Sequence, residues 1–205
     1  ESACAWGEIQ REDVLDVLTS LVRKSLVVAE TLHGSEARYR LLETIRQYAQ
    51  EKLKVSEDWI SAHDHYLACC LQLIEEIAPK LHEPYQQLWL NWLETEHDNI
   101  RVALAWALEG GRVEAGLRIG TALYWFWQTR AYFREGHTWF ERLLKHAGDQ
   151  VPLAVRVNAL TWASVMAAAL GDAKTAARRG LEAMALCEAA GEESKQLLTI
   201  ALIGV

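Results

Sequence analysis

Four groups of residues in this 205-residue sequence have the types and spacing that chemistry or recognition could use. Gly171-Asp-Ala-Lys-Thr175 is the nearest approach to a phosphate-cradling loop. Such a loop needs G-x-x-x-x-G-K-[ST], because consecutive backbone N–H groups must close on the phosphates where a helix begins. Ala173 stands where the second glycine must be and no glycine precedes it at the required distance, so a helix-hairpin turn is expected and no nucleotide. His65 and Cys69 lie four apart, with His63 and Cys70 beside them. On a helix the pair can face one metal, but a structural zinc wants four ligands in a familiar spacing. Two make half a site, so packed or partly exposed residues are expected and no metal. Tyr124-Trp-Phe-Trp127, followed by Tyr132, Phe133, Trp139 and Phe140, is dense in aromatics. Helical stripes place Trp125 and Trp139 with Ile119, Ala122 and Leu143, so most of this group is expected in the core. Trp127, Arg130 and Tyr132, near a turn, are the candidate interaction residues, since Trp, Tyr and Arg anchor interfaces. Glu96, Asp98, Asn99 and Arg101 form the fourth group and are expected to make a structural junction. There Asp98 or Asn99 caps a helix beginning at Ile100, and Arg101 pairs with Glu94 or Glu96 to fix a bend. No G-x-S-x-G occurs and no Cys–His–acid order stands out, so no catalytic residue is assigned.

The elements that carry these groups follow from apolar periodicity. Val14, Leu15, Val17, Leu18, Leu21 and Val22 recur at helical spacing between Glu12 and Arg23. Ser25–Glu30 is β-branched, Ala37–Leu42 alternates charge with apolar bulk, and a glycine-bearing loop separates them, which predicts a hairpin. A helix over Glu43–Leu53 follows. Helix, two-stranded wing and helix make up the second half of a winged-helix domain. Beyond Trp59 every pattern is helical: Ile60–Ile77, a break at Pro79–Pro84, Tyr85–Leu93, then Ile100–Leu108 ended by Gly110-Gly111. Glu114–Gln128 pairs with Phe133–His146, and Val151–Leu170 pairs with Ala173–Ala189 through Leu170-Gly-Asp172. A further pair is expected to start near Glu193. The small residues Ala163, Ser164, Ala176 and Ala183 sit where a tetratricopeptide hairpin needs close helix approach, although its usual bulky Tyr position is Ala167. The predicted fold is therefore mostly α. It comprises a partial winged helix over 1–58 with one β-hairpin, connecting helices over 59–110, and a tetratricopeptide-like right-handed α-helical array over 111–205.

Half the residues are hydrophobic and 24% are charged, which excludes a disordered chain, and no apolar stretch approaches the ~20 residues of a membrane span. No membrane partner and a cytoplasmic location are expected. Four cysteines without framework spacing read as free thiols in a reducing compartment. Residues 1–58 carry 8 basic and 11 acidic side chains, 59–110 carry 2 and 8, and 111–205 carry 11 and 9. A nucleic-acid-binding domain usually shows an unopposed basic face. The wing tip Leu32-His-Gly-Ser-Glu36 holds an acid and no Lys or Arg, and Glu12, Asp13 and Asp16 oppose Arg23 and Lys24. This charge pattern argues against nucleic acid as a partner of these residues. The sequence begins at Glu1 and stops within an apolar helical pattern, so a piece of a longer protein is expected.

Leu18-Thr-Ser-Leu-Val-Arg-Lys-Ser-Leu26 and Arg38-Tyr-Arg-Leu-Leu-Glu-Thr-Ile-Arg-Gln-Tyr-Ala49 resemble a recurrent stretch of STAND-class ATPase regulators. So do Trp89-Leu-Asn-Trp-Leu-Glu-Thr-Glu-His-Asp-Asn-Ile-Arg101, Ala103-Leu104 after it, and Arg134-Glu-Gly136 before Trp139. The resemblance covers most of the chain and thins after Val151. It implies a bacterial signalling protein in which an effector, a LuxR-type or SARP-type DNA-binding domain or a nucleotide cyclase, joins an NTPase, a winged helix and a tetratricopeptide-like arm. This segment would then be a non-catalytic module coupling sensing to nucleotide state and transcriptional output. It would hold no cofactor itself, with ATP or ADP bound elsewhere in the parent. The implied partners are its own NTPase domain and a protein, peptide or small-molecule inducer on the array, with a homo-oligomer possible. The alternative reading is a DNA-binding winged helix with a helical dimerisation region.

Overall fold

The computed structural model describes Ala5, Gly7, Ile9–Thr31 and Ala37–Ala189. It divides into two units, Glu1–Cys69 and Cys70–Val205, and each is taken by itself. The architecture is mostly helical, with one antiparallel β-hairpin preceding an array of helices, as the patterning predicts.

In the first unit α1 (Val14–Arg23) leads into β1 (Val27–Thr31) and β2 (Ala37–Leu41), and α2 (Glu43–Lys54) follows. The end of α1 is a Schellman closure. Leu26 N–H bonds Leu21 O at 3.0 Å and Ser25 N–H bonds Val22 O at 2.9 Å, with Ser25 left-handed at φ 58. That reversal sends the chain into the hairpin, whose register sets Val27 opposite Leu41 and Glu30 opposite Arg38. Among the described residues of this unit the buried apolar side chains are Val14, Val27 and Leu67, and α2 buries none.

The division between the units falls within α3 (Trp59–Ile77). A 3-10 turn, Ala78–His82, fills the expected proline break, with Leu81 buried. The two short helices expected at Tyr85–Leu93 and Ile100–Leu108 are a single helix, α4 (Gln86–Glu109). Buried Leu90, Leu93, His97, Ile100, Leu104 and Ala107 keep alternating spacings of three and four straight through the expected bend. Asp98 and Asn99 cap nothing, because they lie inside that helix with their side chains tied to neighbours one turn away. Asn99 donates to Glu96 at 2.6 Å, and Asp98 accepts from Arg101 at 2.6 Å.

After α4 come α5 (Val113–Thr129), α6 (Phe133–Leu144), α7 (Leu153–Ala169) and α8 (Ala173–Ala189), packed as successive antiparallel hairpins. The expected pair beginning near Glu193 lies outside the described residues. The α5–α6 turn closes through Tyr132 N–H to Trp127 O at 2.7 Å, and the α7–α8 turn through Asp172 N–H to Ala167 O at 3.0 Å. Both are Schellman geometry, with a left-handed residue at the pivot: Gly171 at φ 79 in one turn, Ala131 at φ 60 in the other. Gly136 lets α5 and α6 meet closely, since a Cβ there would lie 2.6 Å from Trp127 Cε3.

Three two-pronged Arg–Glu contacts tie helices distant in sequence: Arg118 to Glu75, Arg101 to Glu135, and Arg179 to Glu141, at 2.6–2.8 Å. Glu135 is the most strongly perturbed carboxylate among them. Burial pushes its pKa up, but the Arg101 guanidinium and the adjoining His97 imidazole outweigh burial and hold it at about 2. The bond to Glu135 in turn drives Arg101 upward.

These features predict three measurable outcomes. Gly136→Ala should cost about 1–2 kcal/mol in urea unfolding, because overpacking against Trp127 exceeds the helix-propensity gain; unchanged stability would refute the close-approach account. Ala131→Gly should raise stability by about 0.5–1 kcal/mol, because an L-residue in the left-handed region is strained; a loss of stability would contradict it. Because the Glu135 pKa is depressed on folding, its contribution is fully present above pH 4.5, the ordinary value, and is lost as pH falls towards 2. Allowing for the exposure of Arg101, the Arg101 and His97 contacts to Glu135 together contribute on the order of 1–2 kcal/mol at neutral pH. The stability gap between the native chain and Glu135→Gln should therefore narrow from pH 7 to pH 2, and a pH-independent gap would count against the assignment.

Candidate functional site

In the first unit the wing is the element with a directional charge pattern. Strand alternation puts Arg38 and Arg40 on one face of the hairpin with Val28 and Glu30, and Tyr39 and Leu41 on the other with Val27 and Ala29. Arg40 Nη2 lies 3.2 Å from Glu30 Oε1, with both side chains more than half exposed. Such a surface pair is worth little, so a competing phosphate can displace it. Arg23 and Lys24 close α1 as exposed cations, and no ion pair among the described residues engages them. Arg46 is engaged by Glu43 at 2.7 Å. Summing charge over 58 residues hid this arrangement. The signal available in sequence was the Arg38-Tyr-Arg40 alternation itself, which places two cations on one side of a strand. The wing tip, Leu32–Glu36, lies outside the described residues.

In the second unit the four junction residues divide. Glu96 and Asn99 bond one another, while Arg101 reaches back to Asp98 and across to Glu135 on α6. Arg101 therefore fastens one hairpin to the preceding helix, and the expected pairing with Glu94 or Glu96 inside a bend is replaced. Beneath it sits His97, 4% exposed, with Nε2 3.2 Å from Glu135 Oε1 but outside hydrogen-bonding geometry, and with its ring edge-on to Phe126. A histidine between two apolar turns carried no signal that it would join this cluster.

The three candidate interaction residues also separate. Trp127 is fully buried, perpendicular to Phe140 and seated against Gly136, so it packs the α5–α6 core and lines no groove. Arg130 and Tyr132 flank the turn and reach α4: Arg130 donates to Asn91, and the Tyr132 hydroxyl donates to Glu94. That bond to Glu94 raises the Tyr132 pKa. Trp125 and Trp139 are half-buried. Tyr124 stacks on Trp162 with ring centroids 3.5 Å apart, joining α5 to α7.

The remaining candidates resolve into local structure. His65 Nε2 and Cys69 Sγ are 3.5 Å apart on α3, and no group of three or more metal-ligating side chains occurs among the described residues. Gly171–Thr175 makes the α7–α8 turn, with Asp172 capping α8 by accepting from Thr175 N–H at 3.0 Å. An open cleft of about 400 Å³ lies between Gly111–Ala115 and Gln150–Val151, and its Arg118 is already held by Glu75. Among the described residues no helix is long and apolar enough to cross a membrane.

Comparison with known proteins bears on the wing. Residues 1–54 match the winged helix-turn-helix domain family. HTH-type transcriptional regulators of Mycobacterium bovis and of two Mycobacterium tuberculosis strains are 39% identical to this chain over 167 residues. The alignment covers 78% of this chain and 18% of each regulator, so the chain spans under a fifth of those relatives. No solved structure matches. These findings overturn the expectation that nucleic acid is not a partner of these residues: a winged helix-turn-helix domain and relatives named as transcriptional regulators point to nucleic-acid binding. The physical reason for the error is that phosphate contact depends on which side chains share a face, and a domain-wide net charge does not report that. By these comparisons residues 1–54 are similar to a winged helix-turn-helix domain, and the chain is similar to part of HTH-type transcriptional regulators.

Proposed function

We propose that this chain is the winged-helix and helical-array segment of a transcriptional regulator, and that the winged helix contacts nucleic acid. The observation that carries the reading is the match of residues 1–54 to a winged helix-turn-helix domain, whose hairpin presents Arg38 and Arg40 on one face. In this reading Arg38 and Arg40 lie against the phosphate backbone, with Arg23 and Lys24 contributing from the end of α1. A phosphate that displaces Glu30 from Arg40 exchanges a weak exposed pair for a charge-assisted one. The array is the regulatory half. It has no catalytic role and receives a protein, peptide or small-molecule inducer, whose differential affinity for two arrangements biases the output.

The finer reading is that the parent is a STAND-type signalling NTPase with a tetratricopeptide-like arm in the cytoplasm. It is supported by the quoted sequence stretches and by the length of the relatives beyond the aligned part. It assigns nucleotide binding to other parts of the parent. A nucleotide-dependent change in oligomeric state of the whole regulator, lost on deleting the array, is its expected signature. A regulator that binds no nucleotide would remove it.

Fluorescence anisotropy with a labelled 30-base-pair duplex tests the nucleic-acid reading. Arg38→Gln/Arg40→Gln should weaken binding about tenfold near 100 mM salt and reduce the log–log salt slope by about 2. Binding by the double variant equal to that of the native chain, at every salt concentration, would sink the assignment of the wing.

A further inference from the structure

The second unit carries a charged surface that the wing-based reading does not use. Helix α6 buries Gly136, Phe140 and Leu143 on one side. The opposite side presents Arg134, Thr138, Arg142 and Lys145 in steps of four, four and three residues, all exposed. The one acid along this stripe is Glu141, one turn before Lys145, and its carboxylate is taken up by Arg178 and Arg179, in a chain whose net charge is −7. Among the described residues no carboxylate pairs with Arg134, Arg142 or Lys145. Arg142 lies over the Trp139 ring at 5.0 Å, which steadies its guanidinium without neutralising it.

The acids nearby are already engaged. Glu141, on the flank of α6, is held by Arg178 and Arg179 of α8, and those bonds keep its carboxyl below the ordinary range. Glu182 is bonded to Arg179, and Asp172 caps α8. The Glu141 bonds also draw the N-terminal part of α8 alongside α6, so exposed Lys174 and Arg178 widen the basic stripe. Arg134 to Lys145 spans about 16 Å at 1.5 Å per residue, a length over which a duplex presents about nine phosphates.

We propose that this face of α6, extended by Lys174 and Arg178, is a second nucleic-acid contact, gripping the phosphate backbone without reading bases. The choice of nucleic acid over an acidic protein rests on the proposed function, since the same chain carries a winged helix-turn-helix domain. The stripe itself is independent of the wing. Three features fit a sequence-independent grip: among the described residues no carboxylate pairs with Arg134, Arg142 or Lys145, the cations are mixed Arg and Lys, and Thr138 between them can hydrogen-bond a phosphate oxygen.

The test uses the 205-residue chain, labelled duplexes of two unrelated sequences and a salt titration. Arg134→Gln/Arg142→Gln/Lys145→Gln should weaken binding to both duplexes equally, by about tenfold near 100 mM salt. It should lower the salt slope by about 2.7 with unchanged thermal unfolding. Combination with Arg38→Gln/Arg40→Gln separates the two surfaces. Residual binding by the wing variant that the α6 changes abolish would uphold the stripe even if the wing assignment fails. An unchanged affinity and slope in the α6 variant would overturn the proposal while leaving the wing intact. A variant that keeps duplex binding but loses affinity for poly-glutamate would also overturn it, reassigning the stripe to an acidic protein.

Discussion

The array hangs on the bond between Arg101 and Glu135. Side chains from helices 34 positions apart meet there in two parallel hydrogen bonds, above the buried His97. Fork-to-fork geometry fixes direction as well as distance, so α6 can lie against α4 in only one rotational setting. That setting places Phe140 and Leu143 toward α5 and leaves Arg134, Arg142 and Lys145 outward. The Arg118–Glu75 and Arg179–Glu141 contacts repeat the device before and after it along the array. Hairpins that otherwise touch through apolar and aromatic side chains thus acquire a defined register.

The order of events from residue to surface is visible at the α5–α6 turn. A left-handed Ala131 pivots the chain, Gly136 admits the Trp127 ring, and Phe140 meets that ring edge-on. With the largest aromatic residue consumed internally, Arg130 and Tyr132 are left at the rim. They use their polar ends to clasp Asn91 and Glu94 on α4. The aromatic richness of this stretch therefore serves cohesion of the array, and the charged side chains of α6 are the ones left on its outer face.

Much of the architecture was legible because the relevant signals are periodic and local. The hairpin after Ser25 and the helices over 113–129, 133–144, 153–169 and 173–189 follow from alternation, apolar stripes and small turn residues. The expectation failed at Asp98-Asn99, where two residues that favour helix ends lie in the middle of α4. Their cost inside the helix is offset by bonds to Arg101 and Glu96, a compensation that spacing alone does not reveal. The site was less legible for a related reason. Charge counted along the chain does not show which side chains share a face, and that Arg38 and Arg40 share one with Glu30 follows only once the strand register is known. Glu135 lies even further from sequence logic, because its partners come from another helix.

The two units differ sharply in how many side chains they enclose. Val14, Val27 and Leu67 are the enclosed apolar groups among the described residues of the first, whereas helices α4 to α7 enclose a continuous core that includes Leu93, Leu104, Leu123, Phe126 and Leu160. Few enclosed side chains make local opening inexpensive, so the winged unit is expected to open before α5 and α7 do. The part of the chain with the fewest enclosed groups is thus the one that reshapes at least expense, and the array is the part that keeps its form.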